Sequence, residues 1–244
     1  MERKVVLITG ASRGIGAACA IEFASKGYDI VINYNNSVNQ AEALKKIILE
    51  KYDVEVLVIK ADISKEEDIK NMVNTVINTF KHIDVLVNNA GIAIDSLVED
   101  KNKQDFLHIL DVNLVSQFLL ARECSKYMPK GSSIINISST NGIDTNYPYS
   151  LDYDASKAGV ISLTHNLAQV YSPNIRVNTV APGWVMTDMN KELGEEYIKE
   201  ECEKILVGRF AEPGEIAKVV AFLASDGASY INNSVIRVDG GIKC

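Results

Sequence analysis

The chain has few of the residues that mark metal-binding or disulfide-rich proteins. Its four cysteines and three histidines are scattered over 244 residues, and the cysteines lack the close pairing of a metal or redox motif. We therefore expect reduced thiols in a cytoplasmic protein and no metal site. The residues concerned are Cys19, Cys124, Cys202, Cys244, His82, His108 and His165.

Positive charge and long apolar runs are also scarce. Twenty-five basic residues face 32 acidic ones, and the net charge of −7 argues against nucleic acid or an anionic membrane surface as a partner. No apolar run approaches the roughly 18 residues that a membrane span needs. The apolar run near the start, Val5–Ile8, is too short for a signal peptide and predicts a first strand.

The chain instead shows short apolar runs that alternate with helical patterns. It has no repeat, linker or low-complexity segment, so we predict one domain over residues 1–244. The alternation predicts an α/β fold of the Rossmann type, a doubly wound parallel sheet of about seven strands in the order 3-2-1-4-5-6-7 with helices on both faces. The predicted strands are Val5–Ile8, Asp29–Asn33, Val54–Lys60, Asp84–Val87, Ser133–Ile137, Ile175–Val180 and Ser234–Val238.

A glycine-rich turn follows the first predicted strand. Gly10, Gly14 and Gly16 have the spacing Gly-x-x-x-Gly-x-Gly, and a helix follows to about Lys26. Glycines let a backbone turn sharply and approach a pyrophosphate, and a helix N-terminus attracts anions. The position favours dinucleotide binding, whereas the alternative is a tight strand-to-helix connection only.

The end of the second strand predicts which dinucleotide is bound. An acid there would accept hydrogen bonds from the ribose hydroxyls and repel a 2′-phosphate. This chain has Asn33, Tyr34 and Asn35 instead, and Arg13 in the glycine loop can pair with a phosphate. We therefore predict NADP(H) over NAD(H); the alternative is that Arg13 is a solvated loop cation.

Two polar positions at strand ends and one within a predicted helix have two readings each. Asp62 either meets the adenine edge or caps the next helix, where Ser64 and Glu67 have the spacing of a capping box. The run Asn88–Gly91 either leaves space for a ribose or forms an Asn-rich turn. Asn113, in a long predicted helix with apolar surroundings, either satisfies a helix kink or holds an ordered water.

Tyr153 and Lys157 are the candidate catalytic pair. A spacing of four residues on a helix places them on one face. A nearby ammonium favours the phenolate, so we expect Lys157 to lower the pKa of Tyr153. Such a phenol can exchange a proton near neutral pH, as carbonyl reduction requires; the alternative is a solvated helix face.

The segment 184–205 is predicted to be a loop with a short charged helix. A mobile lid over the site is the functional reading, and an exposed insertion is the other. Pro213 then fits the first turn of the last long helix.

These motifs occur in the order found in the short-chain dehydrogenase/reductase family, which the whole chain closely resembles. The resemblance implies that Ser139 binds the substrate carbonyl, Tyr153 donates the proton, Lys157 binds the nicotinamide ribose and Asn113 holds a water. Ser138 is the competitor for the role of Ser139. The implied cofactor-binding residues are Gly10, Ser12, Arg13, Gly14, Ile15, Gly16, Asn33, Tyr34, Asn35, Asp62, Ile63, Asn89, Ala90, Gly91, Tyr153, Lys157, Pro182, Gly183, Val185 and Thr187. Val180 is implied as a further neighbour of the nicotinamide.

Within the family the chain is most similar to 3-oxoacyl-[acyl-carrier-protein] reductases. This implies an NADPH-dependent reduction of a 3-oxoacyl thioester, with acyl carrier protein as a possible partner. The expected rim of the site holds only Lys126 and Lys130 as basic residues, and residues 169–174 there are uncharged, which weakens the case for an acidic carrier. The Thr187-Asp188-Met189 stretch belongs to the same resemblance.

Two other functions remain open from the sequence. One is the same chemistry on a sugar, polyol or steroid, with the pocket shaped by residues 145–150. The other is a sensor that binds the cofactor without catalysis, against which the complete Ser139, Tyr153, Lys157 and Asn113 set argues. Family members usually form homotetramers through the helices that carry Asn113 and Tyr153 and through the last strand.

Overall fold

The computed structural model describes residues 3–187, 190 and 193–242. Seven strands form one sheet in the order β3-β2-β1-β4-β5-β6-β7, and every neighbouring pair is parallel. The predicted fold and strand order are confirmed. The strands are β1 (Val5–Ile8), β2 (Asp29–Tyr34), β3 (Val56–Lys60), β4 (Val85–Asn88), β5 (Ser132–Ile137), β6 (Ile175–Pro182) and β7 (Val235–Val238).

Helices cover both faces of this sheet. They are α1 (Gly14–Ser25), α2 (Val38–Lys51), α3 (Glu66–Phe80), α4 (Lys103–Leu110), α5 (Ser116–Cys124), α6 (Leu151–Tyr171), α7 (Glu195–Lys204) and α8 (Pro213–Ala224). Strand β1 shows the division, because Val6 and Ile8 belong to one apolar core and Val5 and Leu7 to the other. The first core is built with α1, α2 and α8, and the second with α3, α5 and α6. A strand buried on both faces explains the uninterrupted apolar runs.

Two helices differ from the prediction, one in its start and one in its continuity. The capping box of Ser64 and Glu67 is wrong: α3 begins after Lys65, which gives no side-chain cap, and Ser64 bonds to Asp62 instead. The long helix expected around Asn113 is divided by a π-helical turn at Asp111–Val115, between α4 and α5. Pro213 opens α8 as predicted.

The segment after β6 contains the predicted charged helix. Helix α7 has no buried residue in its turns, while Trp184 stacks on Phe210 and meets Tyr197 edge-on. The lid reading stays a prediction. Asp188 and Met189 of the family motif, and Cys244, lie outside the described residues. Over the parts of the chain that the structure covers, every helix is too short or too polar to cross a bilayer.

Candidate active site

A cleft of about 680 Å³ opens at the carboxyl edge of the sheet. This is the edge where open α/β sheets bind ligands. The predicted residues that line it are Gly10, Ser12, Arg13, Gly14, Ile15, Asn33, Tyr34, Asn35, Asp62, Ile63, Asn89, Ala90, Gly91, Ser139, Tyr153, Lys157, Pro182, Gly183, Val185 and Thr187. Gly16, Asn113 and Val180 lie behind the wall instead. The strand order thus brings almost the whole predicted set together.

The glycine loop is held close to the end of β4. Gly10 and Gly14 have φ of 61° and 57°, a region that L residues with side chains rarely adopt. A Cβ on Gly16 would lie 2.5 Å from Asn89 Nδ2 and 2.7 Å from the Gly10 carbonyl oxygen. Gly16 is therefore needed for packing behind the loop, while the first turn of α1 leaves N–H groups without intrahelical partners.

Thr9 and Asn89 lock this loop to β4. Asn89 Nδ2 donates to the carbonyl oxygens of Thr9 at 2.8 Å and Gly10 at 3.2 Å. Thr9 Oγ1 accepts from the backbone N–H groups of Asn89 at 3.0 Å and Ala90 at 3.1 Å. The amide hydrogens of Asn89, expected next to a ribose, are thus used to shape the loop.

The end of β2 has a similar lock. Asn33 is buried; its Oδ1 accepts from Gly10 N at 3.3 Å and its Nδ2 donates to the Ala61 carbonyl at 3.1 Å. Asn33 was expected to contact the cofactor, but its side chain joins the ends of β1, β2 and β3. Tyr34 and Asn35 remain at the cleft surface.

The charges around this end of the cleft fit an anion better than a ribose hydroxyl. Arg13 is exposed in the loop, and its side chain forms no hydrogen bond or ion pair with any residue that the structure describes.

Asp62 lies further along the wall, where Ser64 Oγ donates to it at 2.7 Å and Lys65 stands 3.4 Å away. Burial raises the pKa of Asp62, but the hydrogen bonds and the charge of Lys65 together outweigh burial and lower this pKa below its usual value. Asp62 therefore stays ionised while it closes the turn before α3.

Helix α6 carries the candidate catalytic pair into the cleft. Lys157 Nζ lies 5.4 Å from the ring centre of Tyr153 and donates a hydrogen bond to the Ile137 carbonyl at 3.0 Å. Lys157 is 3% exposed, whereas Tyr153 is partly exposed at the wall. The pair therefore shares one face, as predicted, with the ammonium behind the phenol.

The expected direction of the Tyr153 pKa is wrong for this structure. Desolvation raises the pKa of Tyr153 to about 12; a hydrogen bond with Ser139 lowers it less, and Asp154 raises it. Burial lowers the pKa of Lys157 to about 8. The ammonium bonds to a backbone carbonyl and lies beside the ring, so burial outweighs the stabilisation of a phenolate.

The two serines after β5 are clearly separated. Ser138 Oγ donates to the Lys157 carbonyl at 2.7 Å and is used to hold α6. Both serines line the cleft, but Ser139 Oγ bonds to Asn141 Oδ1 at 3.2 Å and a contribution from its hydroxyl lowers the pKa of Tyr153. The geometry therefore favours Ser139 over Ser138 as the hydroxyl that meets a ligand.

Asn113 joins the chain after β4 to α6. It is fully buried in the π-helical turn, accepts from Ile92 N at 2.8 Å, and donates to the Ile92 carbonyl at 2.9 Å and to Ser156 Oγ at 3.0 Å. These bonds fix the chain after β4 against α6. These bonds fit the reading in which Asn113 satisfies an irregular helix, and the reading in which it holds an ordered water stays a prediction.

The structure shows a wall of the cleft that the sequence reasoning missed, and it places two basic residues away from the expected rim. Ile92, Ala93, His108 and Val112 also line the cleft; the only signal was that they follow β4 or precede Asn113. Lys126 and Lys130 were expected at the rim and are not there. Both lysines precede the start of β5. The chain that enters a parallel strand lies at the amino edge of the sheet, so these lysines lie away from the cleft. Residues 169–174 precede β6 in the same way.

This doubly wound sheet, with its glycine loop and its tyrosine and lysine one helical turn apart, defines a class of nucleotide-dependent oxidoreductases. The chain belongs to the short-chain dehydrogenase/reductase family, as predicted. A family model described as enoyl-(acyl carrier protein) reductase matches residues 10–243.

Curated relatives match over nearly the whole chain. The 3-oxoacyl-[acyl-carrier-protein] reductase FabG of Staphylococcus epidermidis is 40% identical over 242 residues, which is 98% of both proteins. FabG of Thermotoga maritima is 40% identical over 251 residues, covering 99% of this chain and 98% of the relative.

Solved structures show the same likeness. A short-chain dehydrogenase/reductase from Serratia marcescens has a TM-score of 0.93 at 35% identity and covers 98% of this chain and 97% of its own. A short-chain dehydrogenase from Burkholderia cenocepacia in complex with NADP has a TM-score of 0.93 at 31% identity, again covering 98% and 97%.

Proposed function

We propose that this protein is an NADPH-dependent reductase that converts a 3-oxoacyl thioester into a 3-hydroxyacyl thioester. The observation that carries the proposal is the shared wall of Ser139 and Tyr153, which continues into the glycine loop of a single cleft. The names of the Staphylococcus and Thermotoga relatives support the substrate.

The cleft fits NADP(H) at both ends. Gly10 and Gly14 line the cleft with positive φ, Arg13 is exposed and pairs with no residue that the structure describes, and the end of β2 has no acid. The NADP complex of the Burkholderia neighbour supports the same cofactor. The glycine loop and Arg13 would hold the phosphates, and Pro182, Gly183, Val185 and Thr187 would lie along the nicotinamide. The reduced cofactor supplies the hydride.

The residues of this chain supply the proton and its placement. Ser139 donates a hydrogen bond to the substrate carbonyl oxygen. Tyr153, whose pKa of about 12 keeps it protonated at neutral pH, gives its proton to that oxygen as the hydride reaches the carbon. Lys157 stands behind the phenol, where a cation stabilises the phenolate that is left. The product is a secondary alcohol.

The alternative substrates are tested by side-by-side assays with NADPH. We expect turnover of acetoacetyl-CoA and acetoacetyl carrier protein, and the ratio of the two kcat/KM values measures whether a carrier protein docks. Turnover of a sugar, polyol or steroid ketone without either thioester would favour the broader dehydrogenase reading. Binding of NADPH, seen by fluorescence, without turnover of any carbonyl would favour the sensor.

Arg13→Ala tests the cofactor. A charge-assisted hydrogen bond to a 2′-phosphate corresponds to about a tenfold effect on binding. We expect KM for NADPH to rise about tenfold while the weaker use of NADH is unchanged. Lys46→Ala, which removes an exposed cation on α2, is the control. A preference of the parent enzyme for NADH would contradict the proposal.

A homotetramer is part of the same proposal. Of the apolar residues on the two candidate helices, Leu119, Val160 and Leu167 are buried in the chain's own core, while Val115 and Phe118 are 40% and 41% exposed. The exposed pair supports association through this helical face. Light scattering of Phe118→Glu against the parent tests it, and a parent that remains monomeric contradicts it.

A further inference from the structure

A line of polar groups leads from the first turn of α6 to the candidate catalytic serine. Asp154 Oδ1 accepts from Asn141 Nδ2 at 2.7 Å. Ser139 Oγ in turn donates to Asn141 Oδ1 at 3.2 Å and accepts from Asn141 N at 3.2 Å. Asn141 therefore meets Ser139 with a donor and an acceptor, and Asp154 orients the Asn141 side chain.

Ser139 needs such a partner because it lies beyond the end of β5, which stops at Ile137. The sheet no longer sets its side-chain direction. A serine hydroxyl has one hydrogen and two acceptor sites, and its hydrogen rotates to suit the nearest acceptor. Asn141 fills one acceptor site and offers a resting place for the hydrogen, so the hydroxyl has a defined position before a carbonyl arrives.

Asp154 also fixes the segment that carries Asn141. Its Oδ2 accepts from the Tyr147 backbone N–H at 2.9 Å, so one carboxylate holds residues 141 and 147 together. Gly142 packs against the Lys157 backbone so closely that a Cβ would lie 2.5 Å from the Lys157 carbonyl carbon. The turn that follows Ser139 is thus fastened to α6 at Asp154 and at Lys157, the two turns that carry the catalytic pair.

We propose that Asn141 and Asp154 are positioning residues for the reduction: Asp154 orients Asn141, and Asn141 holds the Ser139 hydroxyl in reach of the substrate carbonyl. The inference rests on the proposed function, since it assigns these residues to the carbonyl end of the same site. It separates them from Tyr153 and Lys157, which handle the proton.

Asn141→Ala is the decisive variant because it changes no charge. We expect kcat for the thioester to fall up to about tenfold, the effect of losing one neutral hydrogen bond, with KM for NADPH and NADPH binding by fluorescence unchanged. Asp154→Ala should cause a similar loss. Asp154→Asn keeps the size of the side chain and an oxygen that accepts from Asn141, so it should lose less.

A Ser139→Ala background separates positioning from general loosening. If Asn141 acts through Ser139, adding Asn141→Ala to Ser139→Ala should lower kcat by less than twofold, and the two effects will not add. Asp144→Asn is the matched control, because Asp144 lies in the same segment and its partner, Arg237, is outside the line. We expect near-parental kcat for that variant.

Three outcomes would overturn the inference. Parental kcat in Asn141→Ala shows that Ser139 needs no help. A full further loss in the Ser139→Ala background, or an equal loss in Asp144→Asn, shows that the segment as a whole is responsible. A parent enzyme that reduces no carbonyl refutes the proposed function and this inference with it, whereas an active parent with an unaffected Asn141→Ala refutes the inference alone.

Discussion

The two halves of the cleft are built in different ways. At the ends of β1, β2 and β4, the polar side chains of Thr9, Asn33 and Asn89 bond to backbone groups and hold the glycine loop. Beyond β5, polar side chains bond to one another as well as to backbone groups, as in the line from Ser139 to Asp154. One half presents backbone to a ligand, and the other presents side chains.

This difference indicates what each half of the cleft depends on. The loop depends on the space left by missing side chains, so added volume should harm it by strain. The wall around Tyr153 depends on protons and hydrogen bonds, so a change of one atom should harm it with little loss of shape. Substitutions of the groups that face the cleft should therefore separate NADPH binding, at the loop, from turnover, at the wall.

Tyr153→Phe should give the largest effect, because it removes only the phenolic oxygen. General acid catalysis contributes about 10²–10⁴-fold, so kcat should fall by that factor. Fluorescence titration should show NADPH binding within a few-fold of the parent, since the ring stays in the wall. Near-parental turnover would remove Tyr153 from its proposed role and end the contrast between the halves.

Lys101→Met tests the support behind the same wall. Lys101 Nζ bonds to Asp152 at 2.9 Å and to the Ile94 carbonyl at 2.8 Å, and the side chains are only 5% and 0% exposed. Asp152 Oδ1 in turn accepts from Tyr153 N at 3.0 Å. Loss of one partner from a buried ion pair costs about 3–5 kcal/mol, so urea unfolding should show a fall of that size in the free energy of unfolding.

Two further variants sharpen this measurement. Lys103→Met removes an exposed cation nearby and should leave stability near the parental value. Lys101→Met combined with Asp152→Asn should recover part of the loss, because no uncompensated charge stays buried. A Lys101→Met protein as stable as the parent would show that the pair does not hold the wall.

Gly16→Ala is the corresponding test of the glycine loop. The added methyl group would meet Asn89 Nδ2 and the Gly10 backbone well inside normal contact distance. Overpacking of this kind costs about 1–3 kcal/mol, and the shift of the loop should weaken NADPH binding while kcat at saturating NADPH changes little. Gly214→Ala, where a Cβ meets nothing within 4 Å, is the control. A fall in kcat alone would reverse the assignment of the two halves.

The sequence was sufficient for the features that follow from periodicity and chain order. Seven apolar runs and their intervening helices predicted the sheet, and the carboxyl edge then collected the glycine loop and the Tyr153 helix. These features depend on the regular geometry of strands and helices, which spacing reveals.

The sequence was insufficient where two groups compete for one partner in three dimensions. The spacing predicted that Lys157 lies one turn from Tyr153. In the structure the Lys157 ammonium donates to the Ile137 carbonyl, and burial raises the pKa of the Tyr153 phenol. Asn33 shows the same limit of sequence-based prediction, because its amide bonds to two neighbouring segments that only the fold brings together. The line through Asn141 to Asp154 was missed for this reason as well.

The smallest expected effect is the pH dependence of the reduction, which compares the two protonation states of the catalytic wall. The Tyr153 pKa of about 12 keeps the acid form present throughout pH 6–9, so loss of this proton should not limit reduction there. Lys157, with its pKa lowered to about 8, loses its charge as the pH rises through that value, and the phenolate left by proton transfer loses its stabilising cation.

We therefore expect kcat/KM for the ketone to be flat at low pH and to fall a few-fold above about pH 8, while alcohol oxidation, which needs the phenolate, continues to rise. NADPH binding should change little over this range, because the loop acts through backbone groups and Arg13. A reduction rate that falls already below pH 7 would show that the phenol itself titrates there and that the cation dominates burial after all.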